Sequence, residues 1–212
     1  MPMLTVRRPA QAPPRRYGGY IFDLDGTIYL GDELLPGALE LITGLRKAGL
    51  PAVFLSNNPT RDREMYAAKL ARLGIPTPVS HIVNPIVTLT AWLLREAPDA
   101  AVYVIGEEPL DRALREAGIR RTDRPDEIDI VVGSYDRGFT YAKLQTAFDA
   151  LWQHGRARLI TTNPDRYCPM PGGRGEPDAA AVVAAIEAST GVTCEVNVGK
   201  PSPVMLRTAV DI

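Results

Sequence analysis

Two aspartates near the start of the chain, Asp23 and Asp25, are spaced so that they could perform chemistry together. They follow a β-branched and aromatic run, residues 20–22, and precede a glycine. Side chains two residues apart on a strand point to the same face, and at the carboxyl end of a parallel strand that face opens into the ligand-binding crevice. Two like charges held close together are costly unless a cation or a reaction uses them. The spacing suits a magnesium site in which one carboxylate is a nucleophile and the other transfers a proton.

The Asp-x-Asp-Gly segment also has two other interpretations. A calcium EF-hand loop is excluded, because the positions that need an acidic or amide residue, a glycine and a glutamate hold Thr27, Ile28 and Leu34. An Asp-x-Asp-Gly segment is also typical of a turn or a helix cap, and the segment alone leaves that alternative open.

Three segments in order along the chain carry a resemblance to a known family. They are the hydrophobic-Asp-x-Asp-Gly-Thr motif at residues 22–28, a predicted strand ending in serine at residues 52–56, and a lysine segment at residues 198–203. In this order they resemble the haloacid dehalogenase (HAD) phosphatase superfamily. Asn57-Asn58, the Thr-Asn-Pro-Asp of residues 162–165 and an alanine-rich stretch narrow the resemblance to the NagD-like subclass IIA, which has a large α/β (C2) cap.

The resemblance implies an α/β fold with a Rossmann-like parallel-sheet core and an inserted α/β cap domain. The core would comprise residues 17–98 and 195–212, and the cap residues 99–194. Residues 1–16, with four arginines and four prolines, predict a flexible basic tail.

The elements predicted from hydrophobic runs and from glycine and proline breaks alternate between strands and helices. Strands are predicted at 19–23 (buried), 52–56, 102–105, 128–132, 158–162 and 195–199 (returning to the core), and helices at 36–47, 61–73, 85–97, 109–117, 141–154 and 178–191.

The resemblance also implies catalytic roles for the matching residues. Asp23 would be the nucleophile that forms an aspartyl-phosphate, and Asp25 would protonate the leaving group and later activate water. Mg²⁺, the implied cofactor, would bind the Asp23 carboxylate, the Asp25 backbone carbonyl, the phosphate and waters. Ser56 would bind a phosphoryl oxygen, and Lys200 would neutralise Asp23 and the phosphate.

Further matching residues are interpreted as substrate-binding, with structural alternatives left open. Asn57 and Asn58 lie in a segment that would also suit a loop and helix cap, and Asn163 and Asp165 would also suit a polar turn. The residues of this group are Gly26, Thr27, Asn57, Asn58, Asn163 and Asp165.

The sequence departs from the family pattern at its C-terminal end. The fourth motif, an acidic Gly-Asp segment that supplies another Mg²⁺ ligand, would follow Lys200, but the sequence ends at Asp211-Ile212. We therefore expect a C-terminally incomplete core with an uncovered sheet edge, and a chain prone to association with little activity. Three alternatives stay open: an incomplete phosphate-binding fragment, a partner-completed HAD-like protein, or a phosphotransferase.

Composition limits the partners and surroundings. A net charge of −1 predicts no nucleic-acid partner, and the absence of an apolar run of about 20 residues predicts no membrane partner. Two cysteines, Cys168 and Cys194, cannot form a disulfide framework, which favours the cytoplasm. The expected partner is a small phosphate ester such as a sugar phosphate, a nucleotide or pyridoxal phosphate, and a homo-oligomer stays open.

A cysteine-phosphatase signature, Cys-x5-Arg, occurs at residues 168–174. That mechanism needs consecutive backbone N–H groups around the phosphate, and Pro169 and Pro171 remove two of them. We therefore interpret this segment as a coincidental match.

Overall fold

The computed structural model describes residue 15 and residues 17–211. The predicted tail, residues 1–16, lies outside the described residues except for Arg15. The elements in chain order are β1 (Tyr20–Asp23), β2 (Tyr29–Leu30), β3 (Glu33–Leu34), α1 (Ala38–Lys47), β4 (Ala52–Leu55), α2 (Arg63–Arg72), β5 (Ile82–Val83), α3 (Pro85–Glu96), β6 (Val102–Ile105), α4 (Glu108–Glu116), β7 (Ile130–Gly133), α5 (Tyr141–Phe148), β8 (Arg158–Thr161), β9 (Tyr167–Pro169), β10 (Gly175–Pro177), α6 (Ala179–Thr190), β11 (Val196–Asn197) and α7 (Pro203–Val210).

Two parallel sheets form the framework, which confirms the predicted α/β class. The first has the strand order β1-β4-β5, and the second has the order β11-β8-β7-β6. All residues of β4 and β7 are buried, because helices cover both faces of parallel sheets. The remaining strands form two antiparallel hairpins, β2-β3 and β9-β10.

Helix α3 joins the two sheets. It follows β5 of the first sheet directly, but its buried side chains, which include Trp92 and Leu93, pack with strand residues of the second sheet. Asn84 caps the start of this helix, because its Oδ1 accepts from the Val87 N–H at 3.1 Å. Pro85 occupies the first helical position, where the lack of a backbone N–H costs no hydrogen bond. The Asn84 Nδ2 also donates to the Arg61 carbonyl at 2.7 Å, so it ties α3 to the segment that leads into α2.

Three sequence predictions about elements need correction. β1 was predicted to be buried, but it lies at the edge of its sheet and Ile21 is 44% exposed. Residues 195–199 were predicted to return to the first sheet, but β11 pairs with β8 of the second sheet. The helix predicted over residues 141–154 is α-helical only to Phe148 and continues as a π-helical segment, Asp149–Gln153.

Over the described residues, the helices are all too short or too polar to cross a lipid bilayer.

We predict that Asn84→Ala lowers the free energy of unfolding by about 2–3 kcal/mol, because it removes a helix cap and leaves the Arg61 carbonyl without its donor. Thr140→Ala, which removes only the cap of α5, serves as the matched control and should cost about 1 kcal/mol. Denaturant unfolding of both variants measures the difference. Equal costs would show that the Asn84–Arg61 contact contributes nothing.

Candidate active site

The first two predicted residues lie at the carboxyl ends of neighbouring parallel strands. Asp23 ends β1 and is in register with Leu55, the last residue of β4, so that Ser56 follows at the same edge of the sheet. Ser56 continues the pattern, since its N–H donates to the Val83 carbonyl at the end of β5. The parallel pairing therefore brings the aspartate and the serine to one edge.

A tight turn after β1 presents Asp25 to the same edge. The Leu24 carbonyl accepts from the Ile28 N–H at 2.9 Å, and the Gly26 N–H donates to the Tyr29 carbonyl at 2.8 Å. Gly26 has a φ of +79°, a conformation that is costly for residues with a Cβ. Leu24 is fully buried and anchors the turn in the core.

Lys200 reaches the site from the distant end of the chain. Its Nζ forms an ion pair and hydrogen bond with Asp23 Oδ1. Asn57 holds the lysine backbone on both sides, because its Oδ1 accepts from the Lys200 N–H at 2.7 Å and its Nδ2 donates to the Lys200 carbonyl at 3.1 Å. The amide of Asn57 thus positions Lys200 relative to the strand that carries Ser56.

Gly199 permits this close approach. A Cβ at this position would lie 2.4 Å from the Thr162 carbonyl oxygen and 2.9 Å from Asn57 Oδ1. Such a distance to backbone requires displacement of the segment, so only glycine fits here.

A second group of polar side chains connects β8 and α6 to the site. The Nδ2 of Asn163 donates to the Asn57 carbonyl at 3.1 Å and to Asp178 Oδ1 at 3.2 Å, and its Oδ1 accepts from the Asp165 N–H. Asp165 Oδ2 accepts from Asn57 Nδ2 at 3.0 Å. Asn163 is fully buried and both ends of its amide are bonded to protein, so the structure places it behind the site as a brace.

The hydroxyl of Ser56 belongs to a buried network with Tyr66 of α2. Ser56 Oγ and the Tyr66 hydroxyl are 2.8 Å apart, and Ser56 Oγ also accepts from the Asn58 N–H. Tyr66 donates to the Asn58 carbonyl at 3.2 Å, while Asn58 Oδ1 accepts from the Thr60 N–H and hydroxyl. The network fixes Ser56 and the loop that follows it.

These residues surround one cavity of about 150 Å³. Seven of the ten predicted site residues line it; Gly26, Thr27 and Asn163 do not. The lining residues are Asp23, Asp25, Ser56, Asn57, Asn58, Asp165, Tyr167, Cys168, Pro169, Asp178 and Lys200. A larger groove, of about 570 Å³, lies between α2, α3 and α4, but none of the predicted site residues lines it, so the smaller cavity is the candidate site.

The pKa of the Asp25 carboxyl is raised above its ordinary value. Burial in the surrounding protein raises the pKa of its carboxyl, and the charge of Asp23 adds to this, while Lys69 and Arg61 oppose it. Part of the Asp25 side chain still faces the open cleft. A carboxyl of raised pKa that solvent and ligand can reach is suited to giving and taking a proton.

Tyr29 and Lys69 contact each other close to Asp25. The Lys69 ammonium lies 3.7 Å from the centre of the Tyr29 ring, and burial lowers the pKa of this lysine. The Tyr29 hydroxyl is buried and has no hydrogen-bond partner in the described part of the chain. The lysine provides positive charge near Asp25 without an ion pair to it.

The thiol of Cys168 lines the cavity but is poorly suited to nucleophilic attack. Burial, together with the charges of Asp178 and Asp25, raises its pKa to about 11. Cys168 and Arg174 lie across the β9-β10 hairpin region rather than in a loop that opens a helix. The Cys-x5-Arg spacing therefore does not form a cysteine-phosphatase site.

The lining of the cavity is rich in oxygen atoms, which are the ligands that a hard cation such as Mg²⁺ prefers. Over residues 15 and 17–211, no three or more His, Cys, Asp or Glu side chains converge as a metal cluster. Asp23 nevertheless offers a carboxylate to the cavity, and Asp25, which also lines it, offers its backbone carbonyl. Mg²⁺ commonly takes only one or two carboxylates and completes its shell with water and phosphate oxygens, so this pair fits that ion.

We predict that Gly199→Ala displaces the Lys200 backbone and weakens its bonds to Asn57, lowering the free energy of unfolding by about 1–3 kcal/mol. Gly44→Ala in α1 is the control, because a Cβ there meets no atom and alanine favours helix. Thermal unfolding of both variants compares them. A Gly199→Ala protein as stable as the control would contradict the close packing described.

The buried acid Asp178 predicts a pH-dependent stability change. Burial raises its pKa to about 6, whereas an unfolded aspartate titrates near about 4. Between these values the folded state holds more protons, so the contribution of Asp178 to stability falls as pH rises from about 4 to about 6. Asp178→Asn should therefore raise the free energy of unfolding by about 1–3 kcal/mol above about pH 6. The gain should vanish below about pH 4, and a gain that did not depend on pH would refute this assignment.

Comparisons with known proteins agree with this geometry. The sequence profile of the family described as "Haloacid dehalogenase-like hydrolase" matches residues 20–120. The chain is 40% identical over 191 residues to the "Sugar-phosphatase AraL" of Bacillus subtilis, covering 90% of this chain and 69% of that protein. It is 35% identical over 199 residues to an "Acid sugar phosphatase" of Staphylococcus saprophyticus, covering 93% and 74%.

Solved structures show the same fold. A 4-nitrophenylphosphatase from Thermotoga maritima matches with a TM-score of 0.83 and 31% identity, over 92% of this chain and 72% of that one. A Pyrococcus horikoshii protein of unassigned function matches with a TM-score of 0.84 and 32% identity, over 92% and 76%. By sequence and by fold, the chain belongs to the haloacid dehalogenase-like hydrolases, in their NagD-like subclass.

Proposed function

We propose that this protein is a Mg²⁺-dependent phosphomonoester hydrolase that acts through an aspartyl-phosphate on Asp23. The observation that carries the proposal is the ion pair between Asp23 and Lys200 in the cavity that Asp25 and Ser56 also line. The names of the relatives, sugar phosphatases and nitrophenylphosphatases, support the reaction class. The substrate would be a small phosphate ester, such as a sugar phosphate, a nucleotide or pyridoxal phosphate.

The reaction would take place in two displacements at phosphorus. Asp23 attacks the phosphorus atom, the bond from phosphorus to the leaving oxygen breaks, and Asp25 gives that oxygen its proton. Asp25 then takes a proton from water, which attacks the phosphorus and breaks its bond to Asp23. The Lys200 ammonium offsets the repulsion between a carboxylate and a phosphate dianion.

The remaining lining residues would bind the substrate. Ser56, held by Tyr66, would contact a phosphoryl oxygen, while Asn58 and Asp165 would face the organic part. Asn57 also lines this cavity, but its side-chain amide already forms hydrogen bonds to Lys200 and Asp165.

The predicted residues away from the cavity lining would support the site. Gly26 and Thr27 would act through the turn that presents Asp25, and Asn163 through its bonds to Asn57 and Asp178.

Mg²⁺ would be held by the carboxylate of Asp23 and by Asp25. When bound, the ion would neutralise negative charge on the phosphate and on the carboxylates that face it.

The domain division is part of the proposal. Residues 17–98 and 195–212 would form the catalytic core, and residues 99–194 a cap that shields the reaction from water. Both parts line the cavity, because Asp23, Ser56 and Lys200 come from the proposed core, and Asp165 and Asp178 come from the proposed cap. The boundary near residue 195 crosses a sheet, since β11 pairs with β8 of the proposed cap.

We also propose that the protein acts in the cytoplasm. Both cysteines, Cys168 and Cys194, are free thiols, as is usual in a reducing compartment.

We predict that Asp23→Asn lowers turnover of p-nitrophenyl phosphate with Mg²⁺ by at least about 10³-fold, since an amide is a far weaker nucleophile. Asp25→Asn should lower kcat by about 10²–10⁴-fold with little change in KM, because it removes proton transfer and leaves binding intact. Asp126→Asn, a surface change at an exposed ion pair with Arg124, is the control and should leave both constants unchanged.

Two outcomes would overturn the proposal. One is the absence of Mg²⁺-dependent phosphate release from every ester in a broad panel. The other is near-normal turnover by Asp23→Asn combined with its loss in Cys168→Ser.

A further inference from the structure

The cavity is lined from both sheets, and its walls carry four aspartates against one lysine. At one end Lys200 pairs with Asp23. The other end is formed by residues of the second sheet and the β9-β10 hairpin, and two carboxylates, Asp165 and Asp178, lie there. Among the residues that line this cavity, Lys200 is the only cation, and it is committed to the first end.

The side chain of Asp178 is held in place by hydrogen bonds to only one of its two carboxylate oxygens. The residue is 4% exposed and caps α6. Its Oδ1 accepts from the Ala179 N–H at 2.6 Å and from Asn163 Nδ2 at 3.2 Å. Its Oδ2 has no hydrogen-bond partner within residues 17–211, and it is not a fully buried atom there, so solvent or a ligand can reach it. Because Asp178 lines the cavity, Oδ2 is the atom that remains available to a ligand there.

The surroundings of Asp178 are negative or neutral. The pKa of Asp178 is raised by burial and by the charge of Asp165, and it is lowered by hydrogen bonds from the Ala179 N–H and the Asn163 amide. None of these neighbouring groups is a cation. An ionised carboxylate only accepts hydrogen bonds and repels other anions. This end of the cavity therefore favours hydroxyl or amine groups and disfavours a second phosphate or a carboxylate.

We propose that Asp178 is a specificity-determining residue that accepts a hydrogen bond from a hydroxyl or amine on the organic half of the substrate. It selects polyol and sugar phosphates over phosphate esters that carry a second anionic group. This inference rests on the proposed phosphatase function, since it concerns the leaving-group side of the same cavity.

The variant Asp178→Asn tests the role of Oδ2 alone. Asparagine keeps an Oδ1 that can accept from Ala179 and Asn163, and it is an equally good helix cap. It replaces only Oδ2, with an amide N–H₂ that donates hydrogen bonds. Asp62→Asn is the control, because Asp62 caps α2 through the Met65 N–H and lies away from this cavity, as does its ion pair with Arg112.

The test compares two ligands that differ at one group, glycerol 3-phosphate and 3-phosphoglycerate. Isothermal titration calorimetry without Mg²⁺, so that neither ligand is hydrolysed, gives the dissociation constants at about pH 8, where Asp178 is ionised. The wild-type protein should bind glycerol 3-phosphate about tenfold more tightly than 3-phosphoglycerate. In Asp178→Asn this preference should fall to about twofold or reverse, while Asp62→Asn should keep the wild-type ratio.

Equal affinities in the wild-type protein, or a ratio that Asp178→Asn leaves unchanged, would overturn the inference. The hydrolysis of p-nitrophenyl phosphate, which has no hydroxyl on its leaving group, is measured in parallel. Failure of that hydrolysis would count against the phosphatase proposal, while the calorimetric ratio decides the role of Asp178 separately.

Discussion

The ion pair between Asp23 and Lys200 is the interaction on which the site depends. The two residues are 177 positions apart in the sequence. Asp23 ends β1 of the first sheet, and Lys200 follows β11 of the second sheet. Without the lysine, the carboxylates of Asp23 and Asp25 would face each other with less opposing charge, in a cavity where burial already raises the pKa of Asp25. The pair therefore links the folding of the distant lysine segment to the charge balance of the aspartates.

The surrounding structure serves to hold this pair in position. Asn57 bonds both backbone groups of Lys200, and Asn163 in turn bonds the Asn57 carbonyl. The tight packing at Gly199 leaves the lysine segment little freedom. Such support has an energetic cost, since burial raises the pKa of Asp25 and Asp178 and so opposes their ionised forms. Acids kept in this state are typical of functional sites rather than of stabilising ion pairs.

The sequence was sufficient to predict the α/β class and most helices, because hydrophobic runs alternate with clear glycine and proline breaks. It also predicted seven residues of the cavity lining, since the aspartate, serine and lysine segments occur in a recognisable order. The pairing of β11 was predicted wrongly because two residues carry no signal for which sheet they join. The edge position of β1 was missed because a strand's apolar residues do not reveal how many neighbours it has.

The residues that hold the site in place were harder to predict from the sequence. Tyr66 is an aromatic residue on a helix, which favours an ordinary core position, and only the fold shows its hydroxyl beside Ser56. Asp178 was recognisable as a residue before an alanine-rich helix, but the cap pattern does not indicate that one oxygen faces a cavity. Both depend on contacts between segments far apart in sequence, which local patterns do not encode.

The most direct test of the account is chemical trapping of the covalent intermediate. Protein quenched during turnover of a phosphate ester is reduced with borohydride, which converts an aspartyl-phosphate into homoserine, and the modified residue is located by peptide mass spectrometry. The account predicts homoserine at Asp23 in the wild-type protein and its loss in Lys200→Ala, where the charge that offsets the incoming phosphate is gone. Phosphate release with no modification at Asp23, or with a phosphorylated Cys168, would contradict it.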